Sequence, residues 1–136
     1  MASILNPNGS AGRLIKPTPD NSRNTLSFDY PIFCFKHLHK KFHIDSCEKN
    51  EKVKLIERLS KLSTMTWTQI QHADRHGFGS EKISRESIKA SIPPHITDDQ
   101  DFYALRFDGL KAMVGYKSNY IFHIVYLDPK FILYKH

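Results

Sequence analysis

The sequence predicts a single α+β domain in which one strand and two helices precede an antiparallel β-meander. Apolar residues recur at helical spacing between about residues 47 and 75. Aromatic and β-branched runs separated by turn residues follow residue 101. Because hairpin-linked strands form one sheet with an apolar face that needs a cover, we expect both helices on one face of a four- to five-stranded, mainly antiparallel sheet.

The first predicted elements are a strand and a helix. Residues 32–38 form an aromatic, β-favouring run, which predicts the strand. Asp45 and Ser46 offer capping side chains ahead of apolar residues at helical spacing. This pattern predicts a helix over about 47–62.

A second helix is predicted over about 65–75. Thr66 and Gln69 have the spacing of a capping box at its start. Gly77 is placed to end the helix in a left-handed conformation. The segment after it, residues 77–101, contains glycines and prolines among charged residues and predicts an irregular loop with one helical turn near 84–89.

The last third of the chain predicts a meander. Turn residues at Asp108-Gly109, 117–119 and Asp128-Pro129 separate its β-favouring runs. The predicted strands are Phe102–Phe107, Leu110–Tyr116, Tyr120–Leu127 and Phe131–Tyr134.

The lengths of these turns determine which residues lie opposite each other in neighbouring strands, and side chains alternate between the two faces along each strand. The predicted turns therefore assign every side chain to one face of the sheet. They pair Arg106 with Lys111 and Met113 with His123, and they place Val114 and Tyr116 on an apolar core face. The opposite face is then polar and is the candidate functional surface, with an ordinary solvated face as the alternative. Its polar side chains are Arg106, Lys111, His123, Tyr134 and His136.

Composition separates a tail from the domain and indicates the kind of partner. Residues 1–28 are rich in Pro, Gly, Asn and Ser and predict a flexible N-terminal tail, which leaves 29–136 as the domain. The formal charge of +6 favours anionic partners, with nucleic acid first. Without a run of eighteen apolar residues or a secretory signal, a cytoplasmic protein with no membrane contact is expected.

Three segments resemble the RelE/ParE toxin superfamily of bacterial toxin–antitoxin systems, over about residues 30–136. They are Arg106 within LRFDGLKAMVGY, the apolar strand NYIFHIVYLD, and the closing LYKH with Tyr134 and His136. The long loop 77–101 departs from that family, as do Lys111 and Lys117 where arginines often stand.

The resemblance implies an endoribonuclease that cleaves mRNA by attack of a ribose 2′-hydroxyl on the adjacent phosphate, with or without the ribosome. Arg106 is the candidate for binding the phosphate. His123 and His136 are candidates for proton transfer, and Tyr134 for stacking or for a hydrogen bond to the scissile phosphate. Glu81 resembles in position an acidic residue that some family members bring to the site.

Lysines supply the expected contacts with RNA. Two of them belong to residues 36–43, a basic run interleaved with aromatic side chains. His72 and His76 have helical i,i+4 spacing but lack a third ligand, and neither cysteine has zinc-site spacing, so no metal or cofactor is expected. The candidate RNA-binding lysines are Lys40, Lys41, Lys82, Lys111, Lys117 and Lys135.

A toxin of this kind requires a cognate antitoxin, expected to be acidic and partly disordered, that covers the cationic face. Two alternatives stay open. One is a non-catalytic ParE-like toxin that binds a protein target such as a topoisomerase. The other is a nucleic-acid-binding module without catalysis, whose affinity falls steeply with salt.

Overall fold

The computed structural model describes residues 29–135, which contain a five-stranded mixed sheet and two α-helices. The predicted tail, residues 1–28, and the candidate catalytic residue His136 lie outside the described residues. Short 3₁₀ helices occur at Ile44–Ser46 and Arg85–Ser87. The main elements are β1 (Ile32–Cys34), α1 (Lys49–Leu62), α2 (Trp67–His72), β2 (Ser80–Ile83), β3 (Phe102–Asp108), β4 (Lys111–Ser118) and β5 (Ile121–Asp128).

The sheet is open, with strand order β1-β5-β4-β3-β2. Strands β2 to β5 pair antiparallel, whereas β1 pairs parallel with β5 at one edge. The predicted α+β class and the three-stranded meander β3-β4-β5 are confirmed. Within residues 29–135, no helix combines the length and the apolarity that a membrane crossing requires.

Helix α2 begins where its predicted capping residues place it, whereas α1 is capped by Glu48 and not by Asp45 or Ser46, which lie in the preceding 3₁₀ helix. The carboxylate of Glu51 accepts a hydrogen bond from the Glu48 amide at 2.7 Å, at the start of α1. Thr66 and Gln69 exchange side-chain-to-backbone bonds of 2.9 and 3.1 Å at the start of α2. However, α2 ends at His72, and the predicted Gly77 cap is wrong. The chain leaves the helix in extended conformation and turns at Asp74, whose carbonyl accepts bonds from two later amides.

Two strand assignments are corrected. Residues 80–83, expected in a loop, form the edge strand β2, whose polar sequence SEKI lacks the apolar run that signals a strand. Residues 131–134, expected to be a strand, are irregular. The buried carboxylate of Asp128 accepts bonds from the amides of Ile132 and Leu133 at 3.0 and 3.1 Å, so these amides do not pair with a neighbouring strand.

Both hairpin turns lie one residue or more from their predicted places. Asp108 faces Lys111 across a turn formed by Gly109 and Leu110, and Gly109 has a φ of +59°. The second turn lies at residues 119–120, where Ser118 faces Ile121. Because a one-residue slip moves every side chain of a strand to the other face, the predicted faces of β4 are reversed.

The corrected register changes the predicted pairs. Arg106 lies opposite Ala112 rather than Lys111. His123 lies opposite Tyr116 rather than Met113, beside a bulge between Val114 and Gly115. Val114 and Tyr116 therefore lie on the face that was expected to be polar, together with Arg106 and His123.

The sheet is buried on both faces, and the expectation of one solvated face is wrong. On the first face the two helices cover the sheet; the buried residues there are Leu55, Leu62, Trp67, Ile70, Leu105, Phe107, Met113, Phe122, Ile124 and Leu127. Irregular segments cover the opposite face, where the buried residues include Phe42, Ile88, Ile96, Phe102, Val114, Tyr116, Val125, Leu133 and Tyr134. Functional side chains on this second face are thus either buried or gathered at its margin.

Candidate functional site

Three predicted catalytic residues, Arg106, Glu81 and Tyr134, lie together, with Arg106 and Tyr134 buried and Glu81 half-buried. Arg106 is only 4% exposed, and its Nη2 donates a hydrogen bond to Oε1 of Glu81 at 2.7 Å. Its Nε and Nη1 are buried without a hydrogen-bond partner among residues 29–135. Burial raises the pKa of the Tyr134 hydroxyl, and the charge of nearby Arg106 opposes that rise. The expected contact between Arg106 and an RNA phosphate therefore requires the covering segments to move.

A second group lies elsewhere on the same face and contains His123. The rings of His37 and His95 are 4.2 Å apart between centroids, and those of His37 and His123 are 5.7 Å apart. His123 stacks on Tyr116 at 4.7 Å, and the Tyr116 hydroxyl lies 3.1 Å from Nε2 of His95. We call His37, His95, Tyr116 and His123 the histidine cluster.

Four parts of the chain bring these side chains together. Tyr116 lies on β4 and His123 on β5, and their backbones face each other in the sheet. His37 lies in the loop after β1, which is fixed to β5 by a 2.7 Å bond from the His39 amide to the Val125 carbonyl. His95 comes from the irregular segment before β3.

Hydrogen bonds also fix the segment that carries His95. The Tyr126 hydroxyl donates to the Ser91 carbonyl at 2.8 Å. Nε2 of His39 lies 2.8 Å from the Ser91 hydroxyl, which joins this segment to the loop that carries His37. The histidine cluster is therefore held by the sheet and by two loops that are attached to each other.

The electrostatic surroundings favour neutral imidazoles. Burial, followed by the neighbouring imidazoles and Lys36, lowers the pKa of His37. Burial, followed by His95 and Lys36, lowers the pKa of His123. Nδ1 of His123 is buried with no hydrogen-bond partner in the described part of the chain. Near neutral pH these rings are unprotonated and able to accept a proton.

The cluster has the components of acid–base chemistry. Its imidazoles differ in exposure, since His95 is exposed while His37 and His123 are half-buried. The exposed Lys36 places a cation close enough to act on the pKa of two rings. Residues 29–135 contain no group of three or more His, Cys, Asp or Glu side chains arranged to hold a metal ion.

The predicted RNA-binding lysines do not gather around one site. Lys111 is bound to Glu51 at 2.8 Å, and Lys82 pairs with Asp101 at 3.5 Å. Nζ of Lys117 lies 5.2 Å from the centre of the Trp67 ring. The other three predicted lysines, Lys40, Lys41 and Lys135, are exposed, and the first two follow His37 in its loop.

The histidine pair on α2 is not formed as predicted. His72 is the last residue of α2, and its Nδ1 lies 2.9 Å from the Thr68 carbonyl. His76 lies beyond the end of the helix, so the expected i,i+4 spacing on one helical face does not exist.

Sequence reasoning missed His95 and Tyr116 as site residues. His95 lies in an irregular segment without periodicity, where nothing local indicates which face it reaches. Tyr116 was assigned to the core face because the turn was misplaced. His37 did have a signal, since it belongs to the basic, aromatic run 36–43.

Comparisons with protein-family models, with curated proteins and with solved structures found no match for this chain. The resemblance to the RelE/ParE toxins therefore stays an expectation.

Proposed function

We propose that the protein is a metal-independent endoribonuclease, the toxin of a toxin–antitoxin system, and that the histidine cluster is its active site. The convergence of His37, His95 and His123 around Tyr116 carries this proposal. Imidazoles are the side chains whose ordinary pKa best suits proton transfer near neutral pH. Together with a cation at Lys36, they supply what RNA cleavage by an internal nucleophile requires.

The reaction uses the substrate's own hydroxyl. His123, neutral because burial lowers its pKa, accepts the proton of the ribose 2′-hydroxyl. The 2′-oxygen then forms a bond to the adjacent phosphorus, and the bond from phosphorus to the 5′-oxygen breaks. His95 acts as the general acid and donates a proton to that leaving oxygen. The products are a 2′,3′-cyclic phosphate and a free 5′-hydroxyl.

The other members of the site stabilise charge and hold geometry. The ring centroid of His37 lies 4.2 Å from that of His95 and 5.7 Å from that of His123, so His37 is placed to bind the phosphate. Lys36 supplies positive charge where negative charge grows on the phosphate oxygens. Tyr116 orients His95 through its hydroxyl and His123 through stacking.

In this proposal Arg106, Glu81 and Tyr134 have a structural role. Their group, in which Arg106 and Tyr134 are buried and Glu81 is half-buried, connects β2 and β3 with the C-terminal segment. The substrate is mRNA, and the partner is an acidic, partly disordered antitoxin that neutralises the basic surface.

Expression in bacteria tests the function. We expect induction of the wild-type protein to arrest growth and to generate new mRNA 5′ ends, and both effects to disappear in H95N and H123N. K54A, at an exposed position on α1, is the matched control and should behave as wild type. Arrest without new mRNA ends would instead indicate a protein target, and the absence of arrest would favour a non-catalytic binding module.

A further inference from the structure

A second concave site lies on the helix-covered side of the sheet. It is a cavity of about 410 Å³, within the range of small-ligand sites. Three aromatic residues, Trp67, Tyr103 and Phe122, contribute to its lining. Polar side chains join them at the cavity, among them Gln71, Gln100 and Asn119.

The aromatic walls are held in place. Nε1 of Trp67 donates to the Tyr120 carbonyl at 2.9 Å, and its ring lies 6.1 Å from that of Phe122. Both residues are buried, whereas Tyr103 is half-buried and presents part of its surface. A flat ligand that stacks on the exposed part of Tyr103 meets a surface already held by Trp67 and Phe122, which lowers the entropic cost of binding.

The polar groups match the edges of a nucleobase. Amide side chains offer both donors and acceptors, and the carboxylates of Asp99 and Asp101 offer acceptors. Nε2 of Gln100 donates to the Lys117 carbonyl at 3.1 Å, which fixes the orientation of that amide. Stacking on aromatic side chains combined with hydrogen bonds to base edges is the general means by which proteins bind single-stranded RNA.

Lys117 adds a cation to the site. Its ammonium lies 5.2 Å from the centre of the Trp67 ring, so it lies at the same cavity as the aromatic walls. A base that enters the cavity brings its phosphate with it, and this cation is placed to pair with that phosphate.

The cavity and the histidine cluster are adjacent across the sheet. Lys117 faces Phe122 in the β4–β5 ladder, directly beside the Tyr116–His123 pair. Because side chains alternate, these two pairs lie on opposite faces at the same end of the sheet. Residues 95–101 run from the histidine cluster to the cavity, which Gln100 lines.

We propose that this cavity binds a nucleobase of the RNA strand, from a nucleotide near the one that is cleaved at the histidine cluster. This assignment rests on the proposed ribonuclease function and adds a binding subsite to it.

Trp67 is the single tryptophan of the chain, so its fluorescence reports directly on the cavity. The probe is a short 2′-deoxy oligonucleotide, which lacks the attacking hydroxyl and is not cleaved. We expect the oligonucleotide to quench the Trp67 fluorescence saturably. We expect a single nucleoside monophosphate to bind with lower affinity than the oligonucleotide. Quenching by inorganic phosphate alone, or equal affinity for the monophosphate, would overturn binding of a base from a strand.

Two cavity variants test whether the oligonucleotide binds in this cavity rather than elsewhere on the protein. Y103L keeps apolar bulk but removes the ring, and N119G removes the amide while tolerating the left-handed φ of 58° at that position. We expect Y103L to weaken binding about tenfold or more because stacking is lost. N119G should also weaken it, whereas K54A should not. Unchanged affinity in both cavity variants would overturn the proposal.

Different results would contradict the proposed ribonuclease function and the proposed nucleobase cavity. In H123N, which lacks the proposed base, cleavage should be lost although the oligonucleotide still quenches the Trp67 fluorescence. Quenching without any RNA cleavage by the wild-type protein would contradict the ribonuclease and leave a nucleobase site. Cleavage without quenching would contradict only the subsite.

Discussion

The ring of His123 stacks on the ring of Tyr116, with their centroids 4.7 Å apart and their planes 18° from parallel. The same phenol lies 3.1 Å from Nε2 of His95. One side chain in the sheet therefore contacts imidazoles from two other segments. The geometry of the proposed site depends on the β4–β5 register and on the segment that precedes β3.

The β4–β5 register requires glycine at position 115, because a Cβ added there would lie 1.9 Å from the carbonyl oxygen of His123. We expect G115A to lower the free energy of unfolding by about 3 kcal/mol, since the backbone of β5 must move. The displaced His123 should also slow RNA cleavage. G77A is the matched control, since its Cβ would meet only ordinary contacts at 3.5 Å and should change stability by less than about 0.5 kcal/mol. Urea denaturation measures both, and equal effects would contradict the account.

The buried charge of Arg106 depends on Glu81. We expect E81L to cost about 3 kcal/mol of unfolding free energy, because the guanidinium loses its carboxylate while remaining buried. Adding R106M to E81L should restore part of the lost unfolding free energy, because no buried charge is then left without a partner. K82L on the same strand removes an exposed pair with Asp101 and should cost at most about 1 kcal/mol. If E81L is no worse than K82L in denaturation experiments, the pair is not a stabilising buried contact.

Stability should fall as the pH is lowered below the ordinary pKa of histidine. The fold lowers the pKa of His37, His39 and His123, chiefly through burial, so the unfolded chain binds more protons than the native protein. The free energy of unfolding therefore decreases as the pH falls from about 7 towards 5. We expect H123N to have a shallower pH dependence in urea denaturation. A stability that rises on acidification over this range would contradict these shifts.

Y116F removes a hydroxyl but keeps the ring. Because the lost contact positions His95, we expect the cleavage rate to fall by up to about tenfold with the stack on His123 preserved. The rate loss should appear in kcat rather than in KM, since the hydroxyl does not bind RNA directly. A change confined to KM would indicate that Tyr116 contacts the substrate.

Local sequence signals predicted much of the fold. The capping pair of Thr66 and Gln69 placed the start of α2, and helical periodicity placed α1 within two residues of its start. The meander was evident from its β-favouring runs. Strand β2 was missed because its sequence SEKI has a single apolar residue, and its pairing with β3 is a long-range contact.

The candidate site was predictable only in part. Of the predicted catalytic residues, Arg106, Tyr134 and Glu81 lie together, whereas His123 lies in the separate histidine cluster. The burial of Arg106 and Tyr134 depends on covering segments that have no periodic pattern. His123 was identified, whereas Tyr116 was placed on the wrong face by a misplaced turn. His95 had no signal, because a loop residue reaches the site only through tertiary contacts such as the Tyr126–Ser91 bond.

The most direct test is in vitro cleavage of a defined mRNA by the purified full-length protein, both free and with ribosomes added, with analysis of the product ends. The proposed site predicts 2′,3′-cyclic phosphate and 5′-hydroxyl ends, unchanged by a chelator. It also predicts rates at least about 100-fold lower in H95N and in H123N, because each removes a proton-transfer group. A substrate with one 2′-deoxy nucleotide should resist cleavage at that position. Intact RNA, products with 3′-hydroxyl ends, or wild-type rates in both variants would contradict the histidine cluster as a ribonuclease site.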